Sequence, residues 1–309
     1  MENYIYGPVP SRRLGRSLGV DLIPCKICTY DCIYCQLQKK SSKTLKRESY
    51  RPVDIILSQL WKKLDQDVTP DCITLAGSGE PTLHRDIGAI IRRIQARTTI
   101  PVAVLTNGSL LWDPAVRDAL MTADMVIPSL DAWSPELFET VNHPHPGIAF
   151  QTMYQGLVDF AEHYTGDMWL EVFIMDGING SPADASHFLP MVQAINPGHL
   201  YINTAVRPAT DPSVRRVPDT GIAQFYEILE RPRQADVARP QSQKSQFSRD
   251  TVNEILAMTA RRPVTITDIA AGLSIPESSA TRHINDLLAN NAVEMVEKDA
   301  MKYYRKITK

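Results

Sequence analysis

Between Ser17 and Val206 one pattern recurs six times: a short apolar run, a turn, then a segment of helical periodicity. That alternation admits few folds. Strands joined through helices run parallel, since a tight hairpin returns the chain antiparallel, and such crossovers are right-handed. The expected strands are Ser17–Ile23, Cys72–Ala76, Val102–Thr106, Met125–Asp131, Trp169–Met175 and Leu200–Val206. Val53, Ile56, Leu57, Leu60, Trp61 and Leu64 recur at helical spacing. Helices over 87–97, 114–122, 152–164 and 184–194, with another opening near Pro135, supply the remaining crossovers. The segment before them, from Tyr6 to Gly19, is rich in Gly and Pro and reads as a turn-rich entry. The fold class is α/β with a parallel sheet, and ligands of such sheets bind beyond the carboxyl ends of the strands. Thr106, Asn107, Ser129, Asp131, Glu171, Asn203 and Arg207 are polar residues near those ends. Each alone reads equally well as a satisfied polar group or helix cap; together on one rim they suggest a site.

Four of the five cysteines, Cys25, Cys28, Cys32 and Cys35, fall within eleven residues after the first expected strand. Disulfides suit small secreted domains rather than a chain of 309 residues. Structural zinc uses paired C-x2-C units, but here the two units lie only three residues apart, whereas zinc modules separate theirs by roughly a dozen or more. An iron-sulfur cluster suits soft thiolates on one tight loop, and the last three cysteines have the spacing C-x3-C-x2-C. Three ligands would leave one iron of a four-iron cluster open to a substrate or cofactor. Cys72, inside an expected strand, reads as a small buried hydrophobe. After that strand comes Gly77-Ser-Gly-Glu-Pro-Thr-Leu-His84, whose glycines permit close backbone approach and whose Glu80 is an acceptor for an ammonium group. His143 and His145 sit in a proline loop that reads as surface or substrate-facing.

Cys28-Thr-Tyr-Asp-Cys32-Ile-Tyr34-Cys35, with an aromatic residue before the third cysteine, resembles the signature of the radical S-adenosylmethionine superfamily. Gly77 to Pro81 resembles the Gly-Gly-Glu-Pro segment with which its members hold the methionine amino group, although Ser78 stands where that pattern has its second glycine. The resemblance covers about 7–210 and implies a partial (β/α)6 barrel. It implies that Cys28, Cys32 and Cys35 hold a 4Fe-4S cluster whose open iron chelates S-adenosylmethionine, with Tyr34, Gly77, Gly79, Glu80, Asn107, Ser129 and Asp131 as the cofactor-binding positions. Cys25 must then be a non-ligand. The implied reaction is reductive cleavage to a 5'-deoxyadenosyl radical and hydrogen abstraction from a substrate, fed by an external one-electron donor of flavodoxin or ferredoxin type. Gly7-Pro-Val-Pro-Ser-Arg-Arg-Leu-Gly15 further resembles uncharacterised iron-sulfur oxidoreductases related to the wyosine tRNA-modifying enzymes, so tRNA is one expected substrate.

The net charge of −2 is unevenly spread: residues 1–51 hold ten Lys/Arg against four Asp/Glu, a net of +6 that leaves −8 for the rest. The excess flanks the cysteine loop and reads either as attraction for an anionic substrate or as a solvated basic loop. No apolar run is long enough to span a bilayer and the N-terminus has no signal-like region, so the expectation is a cytoplasmic protein without a membrane partner. Residues 232–248 are poor in large apolar residues and read as a linker between a barrel domain, 1–231, and a small domain, 249–309. There, helical segments over 249–260, 267–273 and 276–290 precede β-like stretches at 293–296 and 302–307, the pattern of a winged helix-turn-helix. From Asp250 onward eight Lys/Arg balance eight Asp/Glu, so this domain lacks the basic excess of a DNA grip. Two other functions are consistent with these features: a peptide- or protein-modifying radical enzyme using the winged helix for its substrate, and an iron-sulfur redox-sensing transcription regulator.

Overall fold

The computed structural model describes residues 2–37, 41–66, 68–229 and 251–307. The chain opens with a hairpin, β1 (Ile5–Ser11) against β2 (Gly15–Val20), then two short paired segments, β3 (Ile27–Cys28) and β4 (Ser42–Lys43). Helix α1 (Val53–Leu64) leads to β5 (Cys72–Leu75), α2 (Ile87–Gln95) to β6 (Val102–Thr106), and α3 (Pro114–Leu120) to β7 (Met125–Pro128). Helices α4 (Pro135–Asn142) and α5 (Phe150–His163) precede β8 (Asp167–Ile174), and α6 (Pro182–Ile195) precedes β9 (His199–Thr204). The sheet order is β1-β2-β5-β6-β7-β8-β9, parallel throughout except for β1 against β2. This is an α/β half-barrel of six parallel strands with one antiparallel edge.

Alternation within each strand sorts side chains onto two faces. Leu18, Val20, Ile73, Leu75, Val102, Val104, Leu170 and Val172 face the helices and join Ile56, Ile90, Phe160 and Phe188 in the main core. Their neighbours point to the concave face, where Leu14, Cys72, Ala103 and Ile127 form one cluster and Phe173, Met175 and Ala205 another. The candidate residues Asn107, Asp131, Glu171 and Asn203 share the parity of this second set.

Three features depart from the sequence reading. The Gly/Pro-rich entry is a strand, β1, because Pro8 and Pro10 lie at the sheet edge, where a missing N–H breaks no ladder. Strand β7 ends at Pro128, three residues early, although Ser129 still bridges Glu171 and Leu130 N donates to Glu171 O at 2.8 Å. Helix α7 (Asp219–Ile228) was not anticipated; it packs on α6 through Phe225, and its Tyr226 hydroxyl accepts from Ile202 N at 2.8 Å.

The hairpin turn crosses to the far side of the sheet. Arg13 pairs with Glu171 of β8, Arg12 Nη2 donates to Asn203 Oδ1 of β9 at 2.8 Å, and Leu14 packs between Cys72 and Ile127. The turn thus joins the two edges of the curled sheet.

From residue 251 the chain forms α8 (Thr251–Arg261), α9 (Ile266–Leu273) and α10 (Glu277–Ala289), followed by the antiparallel pair β10 (Val293–Lys298) and β11 (Met301–Lys306). The expected linker, the boundary at residue 231 and the first two residues of the expected helix lie outside the described residues. The apolar faces of the three helices enclose a core of Ile255, Met258, Ile269, Ile284 and Leu287, and Val9 of β1 belongs to it. Tyr303 Oη donates to Val206 O at 2.8 Å, Arg207 pairs with Asp268, and Arg261 stacks over Tyr6. Among the described residues no helix is long and apolar enough to cross a membrane.

Both members of the Arg13–Glu171 pair are largely buried, so removing one strands the other charge. Arg13→Met is expected to lower unfolding stability by about 3 kcal/mol, read as a fall in the urea midpoint at unchanged slope.

Candidate iron-sulfur and cofactor site

The loop from Cys25 to Leu37 has almost no regular structure, and neighbouring segments hold it. Lys26 N donates to Ser78 O at 2.6 Å and Glu80 N to Ile27 O at 3.2 Å, which fixes the loop against the turn after β5. On the other side Asp31 N donates to Asn142 O, Ile33 N to Val141 O, and His145 N to Thr29 O, at 2.8–3.0 Å. Thr210 N closes the far end on Cys35 O at 2.8 Å.

All five cysteines are free thiols. Within this frame the sulfurs of Cys28, Cys32 and Cys35 each meet a different side-chain donor. Asn107 Nδ2 lies 3.6 Å from Cys28 Sγ, Asn142 Nδ2 lies 3.5 Å from Cys32 Sγ, and Lys26 Nζ lies 3.2 Å from Cys35 Sγ. A neutral thiol is a weak acceptor, so three N–H groups directed at three sulfurs suit thiolates. Burial, then the Glu80 carboxylate, pushes the Cys28 thiol up to about 12, and burial followed by Asp131 pushes Cys32 well up. A bound cationic centre offsets that cost. Among the described residues no three His, Cys, Asp or Glu side chains are grouped to hold one metal ion. A four-iron cluster offers each thiolate its own iron and needs no common point, so these residues fit it.

Two buried carboxylates lie beneath the loop. Glu80 Oε1 accepts from Thr82 N, Thr82 Oγ1 and Thr106 Oγ1, while among the described residues Oε2 accepts from Asn107 N alone, at 2.8 Å. Burial raises its carboxyl pKa despite these donors. Oε2 is therefore the oxygen with capacity for a further cationic donor. Asp131 is filled by protein: Oδ1 accepts from Phe173 N at 3.0 Å, and Oδ2 from Tyr34 Oη at 2.5 Å and Asn142 Nδ2 at 3.1 Å. Burial raises its pKa as well. The Tyr34 ring stacks on Phe173, with centroids 4.1 Å apart.

The glycines of the turn answer to packing. Gly79 must lack a side chain because a Cβ there would lie 2.0 Å from Ile27 O, in the cysteine loop itself. Gly77 has φ +148°, and a Cβ would lie 2.6 Å from Asp21 Cγ. Ser78, in the place of a second glycine, turns its hydroxyl onto Asp21 Oδ2 at 2.6 Å.

The structure thus gathers Tyr34, Gly77, Gly79, Glu80, Asn107 and Asp131 around the three cysteines. Ser129 is half-buried at the end of β7 and bridges Glu171. Glu171, Asn203 and Arg207 lie further along the concave face, engaged by Arg13, Arg12 and Asp268. His143 is exposed, and His145 Nδ1 accepts from Gly147 N at 3.0 Å, so this loop contributes backbone rather than imidazoles. Cys72 is buried on the concave face. Cys25 is exposed on the rim of a cavity of about 1180 Å³ that also reaches α1, α8 and β11. Sequence reasoning missed Asn142, Lys26 and Asp21 as members of the site. Lys26 had a signal, a lone lysine between two cysteines; Asn142 ends a helix far along the chain and had none.

Residues 22–189 match the model of the radical SAM superfamily. The chain is 31% identical over 266 residues to a UPF0026 protein of Methanocaldococcus jannaschii, covering 84% of this chain and 82% of that one. It is 35% identical over 292 residues to a Brachyspira hyodysenteriae protein named GTPase Obg, covering 94% of this chain but spanning only 43% of that relative's length. A radical SAM methyltransferase structure from Sphaerobacter thermophilus shares the fold at a TM-score of 0.51 and 17% identity, over 69% of this chain and 63% of that one. With the cysteine loop, its sulfur-directed donors and this family match together, the chain belongs to the radical SAM superfamily, iron-sulfur enzymes that bind a 4Fe-4S cluster and S-adenosylmethionine.

Proposed function

We propose that this chain reductively cleaves S-adenosylmethionine and abstracts hydrogen from a substrate held on the concave face. The observation that carries this reading is the separate N–H donor directed at each sulfur of Cys28, Cys32 and Cys35, beside a buried carboxylate with one oxygen still available. When bound, the cluster and cofactor supply one-electron cleavage of the sulfonium and a 5'-deoxyadenosyl radical. The protein's part is to hold and to exclude. Cys28, Cys32 and Cys35 hold iron, and Asn107, Asn142 and Lys26 stabilise charge on their sulfurs. Glu80 Oε2 accepts from the cofactor's ammonium group. Tyr34, fixed by Asp131 and Phe173, walls the site on the β8 side, and Ser129 borders it at the end of β7. Cys25 stays outside the ligand set, and a flavodoxin or ferredoxin delivers the electron.

The C-terminal unit is read as a winged helix-turn-helix that serves the barrel and its substrate. Its sharing of a core with Val9, together with its balance of eight cations and eight acids, supports that role over DNA reading. RNA and peptide are the substrate classes under this proposal; mass spectrometry of tRNA and proteome from a deletion strain distinguishes them.

Anaerobically reconstituted protein with reductant should yield 5'-deoxyadenosine and methionine, and Cys28→Ala should yield neither. A cluster-loaded wild type that cleaves nothing would overturn the proposal. Glu80→Gln is expected to weaken S-adenosylmethionine binding roughly ten- to a hundredfold, the value of a charge-assisted hydrogen bond, as measured by anaerobic titration. Cys25→Ser should retain wild-type iron and sulfide content, and loss of the cluster would return Cys25 to the ligand set. Asn142→Leu removes an N–H directed at Cys32 and should lower the cluster's midpoint potential by on the order of 50 mV, followed by electron paramagnetic resonance during a redox titration.

A further inference from the structure

Where the hairpin turn, the end of β9 and the C-terminal unit meet, positive charge exceeds its counter-charge. Arg13 has Glu171 and Arg207 has Asp268, while among the described residues Arg12 has only the Asn203 amide and the Tyr201 ring face. Arg262, directly after α8, lies within electrostatic reach of both Arg207 and Arg12, with Asp268 as the shared acid. Two guanidinium nitrogens here, Arg207 Nε and Arg262 Nη2, are buried without a hydrogen-bond partner among the described residues. Burial, then Arg207, pushes the Arg262 guanidinium down to about 10. Fixed cations held near one another with unmet donors oppose folding, and a planar fork of donors is the arrangement that fits an oxyanion.

The position matters as much as the charge. Asn203, which Arg12 holds, is the register partner of Phe173, and Phe173 carries the Tyr34 ring of the cysteine loop. Neighbouring strands lie about 4.8 Å apart, so Asn203, the residue that Arg12 holds, is one strand spacing from the wall of the cofactor site. We propose that Arg12, Arg207 and Arg262 form a site for an oxyanion of the substrate, a phosphoryl or carboxylate group, which orients the rest of that molecule along the concave face toward the three cysteines. This rests on the reading of the concave face as the substrate site. The C-terminal unit then completes the pocket, because Arg262 comes from it and Arg207 is held by its Asp268.

The test uses the full-length, anaerobically reconstituted protein titrated with inorganic phosphate at constant ionic strength, chloride replacing phosphate. Saturable binding is expected, weakened tenfold or more by Arg207→Gln and by Arg262→Gln. Arg93→Gln, which removes an exposed pair with Asp54, should leave binding unchanged. A second measurement separates ligand binding from structural support: without phosphate, Arg262→Gln should melt at or above the wild-type temperature, since it removes an unpaired buried donor. Absence of phosphate binding, binding indifferent to both substitutions, or a lower melting temperature for phosphate-free Arg262→Gln would each overturn the inference. Competition by acetate assigns a carboxylate, and its failure a phosphoryl group; both uphold the site. Wild-type protein that cleaves S-adenosylmethionine yet binds no phosphate removes this inference alone, whereas phosphate binding without cleavage removes only the radical reading.

Discussion

Asp131 holds the site together from below. Its carboxylate is almost fully buried, a position that is costly unless its oxygens are satisfied. Three donors satisfy them, and each comes from a different part of the chain: Tyr34 from the cysteine loop, Phe173 N from β8, and Asn142 from the end of α4. The same Asn142 amide reaches Cys32 Sγ. One buried acid therefore sets the Tyr34 ring, the adjoining strand and a sulfur-directed donor in a single arrangement. Glu80 does the parallel service on the other side, joining the turn after β5 to the end of β6 through Thr106 and Asn107. Because loss of either acid unsatisfies several partners, both act as positioning groups whatever they touch in addition.

The sheet supplies the platform these acids need. Leucine, isoleucine and valine on the helix-facing side leave the concave side free for polar residues, and Arg12, Arg13 and Leu14 of the hairpin turn reach across that side. The cysteine loop sits at the strand ends, against the turns after β5 and β6. Geometry set by the edge hairpin and chemistry set by the loop thus meet on one face.

Much of this was legible. Six strand-helix units, the three cysteines and Glu80 announce themselves because period, spacing and turn chemistry are local properties. What stayed hidden was non-local. β1 contains Pro8 and Pro10, which argue against a strand unless the edge position is known. Asn142 and Lys26 carry no motif, and their directions toward sulfur exist only once α4 and the loop are packed. Gly79 was read as leaving room for a ligand, yet the constraint visible in the structure is the Ile27 carbonyl. Tyr34 and Asp131 were separate candidates in the sequence, and their pairing exists only once the cysteine loop is packed over the end of β7.

The C-terminal unit is tied to the site by a third buried acid. Asp21 Oδ1 accepts Ser78 N and Oδ2 accepts Ser78 Oγ, which sets the turn that carries Gly79 and Glu80. Asp21 Oδ2 also accepts Arg261 Nε at 3.1 Å, from the last turn of α8, and lies 3.6 Å from Arg51. Displacing α8 would leave Asp21 with Arg51 as its cation and would loosen the turn beneath Ile27. The C-terminal helices are thus built into the support of the Glu80 turn, and a ligand that orders them against β1 also orders the segment on which the cysteine loop rests.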